Sequence, residues 1–219
     1  REPGAEPVIN PLAVRQAYTL GHALDCTLAT SAPLERPHGS PSLPEGYNLY
    51  GASVAVAAGG FMEIEFHRRK KHIPINEIRL EEYAGRLTHE NGKTRMDYSQ
   101  AGAANIRLRT GANFELGEEA EIFLTELRRR IQYMGMLRGT PVETMIRCNA
   151  YVALAKYPQK PDYFVKLRNL NSFNFVRKAI NAELHRQEEI LTSGGTVSSE
   201  SRLWNERQGM TEHYQSRDS

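Results

Sequence analysis

Residues 163–176, YFVKLRNLNSFNFV, decide how this chain is read. The aromatic and β-branched start, YFVKLR (163–168), predicts a strand. A polar loop through Asn169 and Asn171 follows, and Ser172 stands where a hydroxyl caps the first turn of a helix. That helix carries an apolar stripe of Phe173, Val176, Ile180, Leu184 and Leu191, and Gly194-Gly195 stops it. Just upstream, MIRCNAYVALA (145–155) reads as a second strand, paired with 163–168 across a Pro-containing loop.

Working outward, the same logic repeats. Gly117 opens a helix with Glu118, Glu119 and Glu121 near its positive end. Its stripe is Ala120, Phe123, Leu127, Ile131 and Met134, and Gly135 or Gly139 ends it. ANIRLR (104–109) predicts a strand. Arg86–Glu90 and Lys93–Tyr98 flank Asn91-Gly92, a dipeptide suited to the positive φ angles of a type I′ turn. SVAVAA (53–58) and FMEIEF (61–66) predict two more strands, with Gly59-Gly60 as the hairpin between them. Residues 31–48 are rich in Pro, Gly and Ser and predict a loop. Asn10-Pro11 predicts an N-cap and first helical residue, with Val14, Ala17, Gly21 and Leu24 on the buried side. Helices interleaved with mostly hairpin-connected strands predict an α+β fold, a mixed or antiparallel sheet packed by two or three helices. A domain over 1–195 and an extended C-terminal segment over 196–219 are expected.

Composition bounds the function loosely. Of 219 residues, 40% are hydrophobic and 25% charged, as in an ordinary globular protein. No apolar run is long enough to cross a bilayer, so no membrane partner is expected. The net charge of +2 does not by itself indicate a nucleic-acid binder. The charge is clustered instead: Arg68, Arg69, Lys70 and Lys71 form one tract and Arg128–Arg130 another. The bland reading of each is a solvated face, and the functional reading is phosphate contact. Two distant cysteines, Cys26 and Cys148, exclude a four-thiolate zinc site built from this chain and read as reduced, buried small hydrophobes. The first residue is Arg1 and not Met, so the sequence is read as processed or partial.

The co-linear motifs resemble one family. PGAEPVIN (3–10), LPEGY (43–47), FMEIEF (61–66), IRLEEYAGR (78–86), MDYSQAG (96–102), IRCNAYV (146–152), LRNLNSFNFV (167–176) and ESRLW (200–204) are similar, in order, to motifs of GatB. GatB is the B subunit of the tRNA-dependent amidotransferases. The resemblance implies a cradle-type fold, ATP and Mg²⁺ as cofactors, tRNA as substrate and a GatA-like amidase as partner. Such enzymes phosphorylate the carboxyl of a mischarged aminoacyl-tRNA and let ammonia displace the phosphate, which calls for carboxylates holding Mg²⁺ against phosphate oxygens.

At the positions the resemblance assigns to those acids, this chain departs. Glu81 and Glu82 remain, but the following Asp is Tyr83. Two Glu positions fall on Arg107 and Gly111, and an Asp on Asn113. Asn149 and Tyr151 replace an Asp and an Asn, and Lys166 replaces a Glu. Glu82, Glu81, Asn149, Asn169 and Asn171 are therefore read as a vestigial site, with no catalytic residue and no metal ligand expected. Arg107, Arg109, Lys166 and Arg168, with the tract at Arg68, Arg69, Lys70 and Lys71, are expected to face RNA or an acidic partner. The expectation is a catalytically inactive structural subunit of a larger assembly, with ribosomal RNA or tRNA as partner. A mitochondrial ribosome is the expected setting, with the cytoplasm as the other compartment. The alternative is a working GatB that uses ATP and Mg²⁺ for amidotransfer.

Overall fold

The structure is a computed structural model and describes residues 9–33, 55–82, 86–90, 93–97, 103–136, 146–155 and 161–214. Its helices and mostly antiparallel strands make an α+β protein. The chain divides into two compact units, residues 1–63 with 72–113, and residues 64–71 with 114–219.

In the first unit, helix α1 (Pro11–Ala23) begins as its sequence requires. The Asn10 side-chain oxygen accepts a hydrogen bond from the Leu12 amide at 2.9 Å, satisfying one of the donors a helix start leaves open. The helix buries Ala13, Ala17, Leu20 and Gly21. Strand β1 (Thr27–Leu28) follows and pairs antiparallel with β2 (Ala57–Phe66).

Here the structure corrects the sequence reading. No hairpin forms at Gly59-Gly60; β2 runs through both glycines as one strand. The reason is a close approach. The Phe61 amide donates to the Leu24 carbonyl at 3.0 Å, and a Cβ on Gly60 would collide with that same carbonyl oxygen. The glycine makes room for the end of α1 and does not make a turn. The turn lies further on, at His67 and Arg68, with φ of 50° and 61°. Two consecutive left-handed residues are the geometry of a two-residue hairpin, here without Asn or Gly.

Strand β3 (Arg69–Glu82) then pairs with β6 (Ala104–Thr110), giving the order β1-β2-β3-β6. Strands β4 (Arg86–Glu90) and β5 (Lys93–Asp97) pair antiparallel, as their flanking pattern predicts. Asn91-Gly92 and most of the 31–48 stretch lie outside the described residues. A register shift between Ile75 and Glu77 decides which way β3 side chains point. Before it Ile73 and Ile75 are buried; after it Ile78, Leu80 and Glu82 are. One extra residue exchanges the faces of everything downstream.

In the second unit, α2 (Gly117–Tyr133) packs on α3 (Phe173–Thr192). A Cβ on Gly117 would collide with the Arg177 carbonyl, so glycine allows the contact. The Gly117 amide also donates to the Asn181 side chain at 2.8 Å. Strands β7 (Cys148–Val152) and β8 (Val165–Leu170) pair antiparallel, as expected. Ser172 caps α3, its hydroxyl accepting from the Phe175 amide at 3.1 Å. The segment expected to run extended after Gly195 supplies two strands. Strand β9 (Glu200–Asn205) lies parallel to β8, and β10 (Met210–His213) lies antiparallel to β9.

The buried stripe of α3 differs from the one periodicity suggests. Val176, Ala179, Glu183 and Gln187 are buried, whereas Leu191 is 40% exposed. Polar residues enter the interior because the sheet beneath offers them charged and backbone partners. Among the described residues, no helix is long and apolar enough to cross a membrane. Both cysteines are free, and each is only partly buried, where buried small hydrophobes were expected. Burial still pushes the Cys148 thiol up to about 11, so thiolate chemistry near neutral pH is not open to it.

Candidate functional site

The candidate residues separate into groups carried by different elements. On the β3/β6 ladder, Glu77 stands opposite Arg109 and Arg79 opposite Arg107. Glu77, Arg79 and Glu81 alternate onto one face, and Glu82 lies on the opposite, buried face with Ile78 and Leu80. The open face is a lattice of ion pairs. Arg79 lies 2.9 Å from Glu77, Arg107 3.0 Å from Glu81, and Arg109 3.5 Å from Glu77. The hydrogen bond from Arg79 holds the Glu77 carboxyl below its ordinary value, overcoming partial burial, with Arg109 and Arg107 adding to the effect. Arg107 and Arg109 are thus engaged with acids on the neighbouring strand, and the face alternates in sign.

In the second unit, strands β7 to β10 present two contrasting faces. The face toward α3 holds a buried polar network centred on Glu183, which is fully buried. Its carboxylate accepts from Arg186 at 2.7 and 2.9 Å, from Gln187 at 2.8 Å and from the Thr211 hydroxyl at 2.8 Å. Arg202 reaches the same carboxylate at 3.6 Å and Glu200 at 2.9 Å. Gln187, also fully buried, accepts from the Leu154 amide and the Tyr163 hydroxyl and donates to the Val152 carbonyl. These residues tie the helix to β7, β9 and β10. Sequence reasoning did not single them out, because a Glu and a Gln on a helix ordinarily mark its solvated side.

The other face carries candidate cations beside aromatic rings. Lys166 stands opposite Tyr151 across the β7/β8 ladder, its ammonium 5.6 Å from the ring centroid. The Arg168 guanidinium lies 5.0 Å from the Tyr214 ring centroid. Both distances fall within cation–π range. Tyr151 is 61% exposed. The Arg168 Nε is buried and makes no hydrogen bond among the described residues. Asn149 sits on β7 at the register shift between Cys148 and Ala150 and is exposed. Asn169 lies within β8, and exposed Asn171 follows it immediately before the Ser172 cap.

The basic tract at the β2–β3 turn is not uniform. Arg68, Arg69 and Lys70 are exposed. Lys71 is a structural anchor, bonded to Glu119 at 2.9 and 3.1 Å and to Glu115 at 3.1 Å. Burial alone would lower its affinity for a proton, but the two carboxylates raise it above the ordinary lysine value. Glu119 also accepts from the Glu115 amide at 2.7 Å, closing the start of α2. In the second tract, Arg129 and Arg130 pair with Glu126, and Arg128 lies over the Phe173 ring at 5.1 Å.

A family model described as the GatB/GatE catalytic domain matches residues 1–219, the whole chain. The chain belongs to the GatB/GatE catalytic-domain family. Curated relatives agree. In Geobacillus kaustophilus, the B subunit of the aspartyl/glutamyl-tRNA(Asn/Gln) amidotransferase is 37% identical over 209 residues, 93% of this chain and 44% of that protein. The protein of the same name from Shouchella clausii is 36% identical over 207 residues, 93% of this chain and 44% of its own length. That of Syntrophotalea carbinolica is 33% identical over 219 residues, 99% of this chain and 46% of its own. The chain therefore spans about half the length of these relatives.

The GatB resemblance implies Mg²⁺ and ATP, which call for clustered carboxylates. Glu81 is bound to Arg107, and Glu82 points to the opposite face. Asn113, at a family acid position, donates its amide to the His72 carbonyl at 2.7 Å. At Gly111, a Cβ would press on Pro74 at 3.1 Å. Lys166 places a cation against Tyr151. Hard divalent ions need several clustered oxygen donors. Among the described residues, no group of three or more His, Cys, Asp or Glu side chains is placed to hold a metal ion. The described side chains do not by themselves fit an Mg²⁺–ATP centre, and no chemical step is assigned to one.

Proposed function

We propose that this chain serves as the GatB component of a tRNA amidotransferase assembly, handling an aspartyl- or glutamyl-tRNA alongside partner proteins. The observation that carries this reading is the unbroken similarity to the B subunits of such enzymes across 93–99% of the chain. The retained fold supports it: the capped α3, the β7/β8 pair and the buried Glu183 network give the rigid frame that such a role requires. Affinity isolation of the tagged chain from its own cells tests the assignment. An amidase-type protein and aminoacylated tRNA are expected in the eluate. Ribosomal proteins and ribosomal RNA in their place would overturn it.

A second reading is favoured by the ion pairs of Glu81 with Arg107 and of Glu77 with Arg109. Acids already held by arginines on the next strand suit a chain that binds tRNA and partners without transferring phosphate. A structural subunit of a mitochondrial assembly is one setting for such a chain. On this reading the reconstituted assembly holds tRNA, forms no amidated product, and is indifferent to Glu82→Ala.

A further inference from the structure

We propose that the tip of the β2–β3 hairpin is a docking finger for a protein partner, with Arg68 and Arg69 entering an acidic recess on that partner. This contact goes beyond either reading above and holds under both. Backbone strain is the first sign. His67 and Arg68 both adopt left-handed backbone, with φ of 50° and 61°. Arg68 bears the larger cost, since His enters that region more readily. Asn-Gly makes the same two-residue turn with little strain. Strain retained in a turn points to a use for its side chains. The second sign is how the tip is held. Arg68 and Arg69 are exposed, but the stem behind them is fixed. Ile64 is 2% exposed, and Lys71 is bonded to Glu119 at 2.9 and 3.1 Å and to Glu115 at 3.1 Å. A charged tip on a fixed stem has less freedom to lose when it binds.

The charge pattern around the tip selects the partner class. Glu65 is exposed just ahead of the turn, and Glu115 is 80% exposed beside Lys71. The two arginines therefore stand out from an acidic collar. A nucleic-acid strand carries a charge on every unit and would be drawn across those acids. A folded protein sets a few carboxylates against the arginines and keeps its other acids clear of the collar. Attraction at the centre with like-charge exclusion at the rim is how protein surfaces choose partners. The guanidinium fork suits a carboxylate, which it grips through two parallel hydrogen bonds.

The test uses the full chain and a fluorescent oligoglutamate peptide as probe, with an unstructured RNA oligonucleotide measured alongside. Binding is followed by anisotropy and folding by thermal melts. The peptide is expected to bind. Arg68→Ala with Arg69→Ala is expected to weaken it about tenfold, through the loss of two charge-assisted contacts. Arg68→Lys is expected to weaken it about threefold, because the charge stays and the fork is lost. His67→Asn with Arg68→Gly separates function from stability. It relieves the turn and is expected to melt higher, yet to bind the peptide about threefold more weakly. These side chains are exposed, so the fold is not at risk, and the melts verify this for each variant. A tip that is only a solvated turn would gain the same stability with no loss of binding, and that result overturns the proposal. So do a lower melting temperature for the Asn-Gly variant, absence of peptide binding, and undiminished binding by the double alanine variant. RNA binding that falls with the same variants as far as peptide binding does assigns the tip to nucleic acid and also overturns it.

Discussion

Two ladders in this molecule use the same residue types for different ends. On β3 and β6, Glu77, Arg79, Glu81, Arg107 and Arg109 pair on an open face, with Arg107 56% and Arg109 65% exposed. Between α3 and the β7–β10 sheet, Glu183 meets Arg186 and Arg202 with no exposure of its own. Water screens the pairs made by Arg107 and Arg109, so each contributes little and its members can exchange partners. The second set lost its hydration when the chain folded and holds together only because every lone pair of Glu183 is used. A Glu–Arg pair therefore fixes structure in one unit and sets a surface charge pattern in the other.

The sharpest way to break that comparison is Glu183→Ala. It leaves the Arg186 and Arg202 side of the network without its central anion and is expected to destabilise the second unit by about 3–5 kcal/mol in urea unfolding. A loss under about 1 kcal/mol would place Glu183 in the same class as the open ladder. Gln187→Leu comes next. It leaves the Leu154 amide without its acceptor, and an expected loss of about 1–3 kcal/mol is readable in the same experiment.

Acid sharpens the contrast by another route. Burial pushes the Glu200 carboxyl up, but hydrogen bonds from His213 and Arg202 and the charges of Arg202 and Arg186 more than offset this. Its folded pKa therefore lies below its ordinary value of 4.5. Stability from this group is complete above the unfolded value and is lost as pH falls through the folded one. Thermal melts between neutral pH and about pH 3 are expected to show the loss only below that ordinary value, with Glu200→Gln flattening the profile. The smallest effect belongs to the open ladder. Arg107→Ala is expected to change stability by less than about 1 kcal/mol, and 1 M salt to remove what difference there is. The same salt is expected to leave the Glu183→Ala penalty nearly unchanged.

Much of this was legible in the residues. Asn10-Pro11 and Ser172 announced their helices because a cap is a local device, decided by side chains one turn away. The β7/β8 and β4/β5 pairs were legible for the same reason. Gly59-Gly60 misled because a glycine pair signals permissive backbone without saying whether a turn or a close approach uses it. The Leu24 carbonyl that decides the matter is distant in sequence. Glu183 was hidden because its partners on β9 and β10 come from a segment too polar to announce strands, and Gln187 because two of its partners are the backbone groups of Val152 and Leu154. Reading 200–214 as strands would also have placed Tyr214 beside Arg168. The opposite facing of Glu81 and Glu82 followed from adjacency on a strand; the ion pair of Glu81 with Arg107 needed the register.

The most direct measurement is amidation itself. The chain is combined with an amidase-type partner, misacylated tRNA, glutamine, ATP and Mg²⁺, and the aminoacyl group is identified by mass after release from the tRNA. GatB function predicts amidated product only when this chain is present. No chain-dependent product from an assembly that has formed and bound tRNA would contradict it.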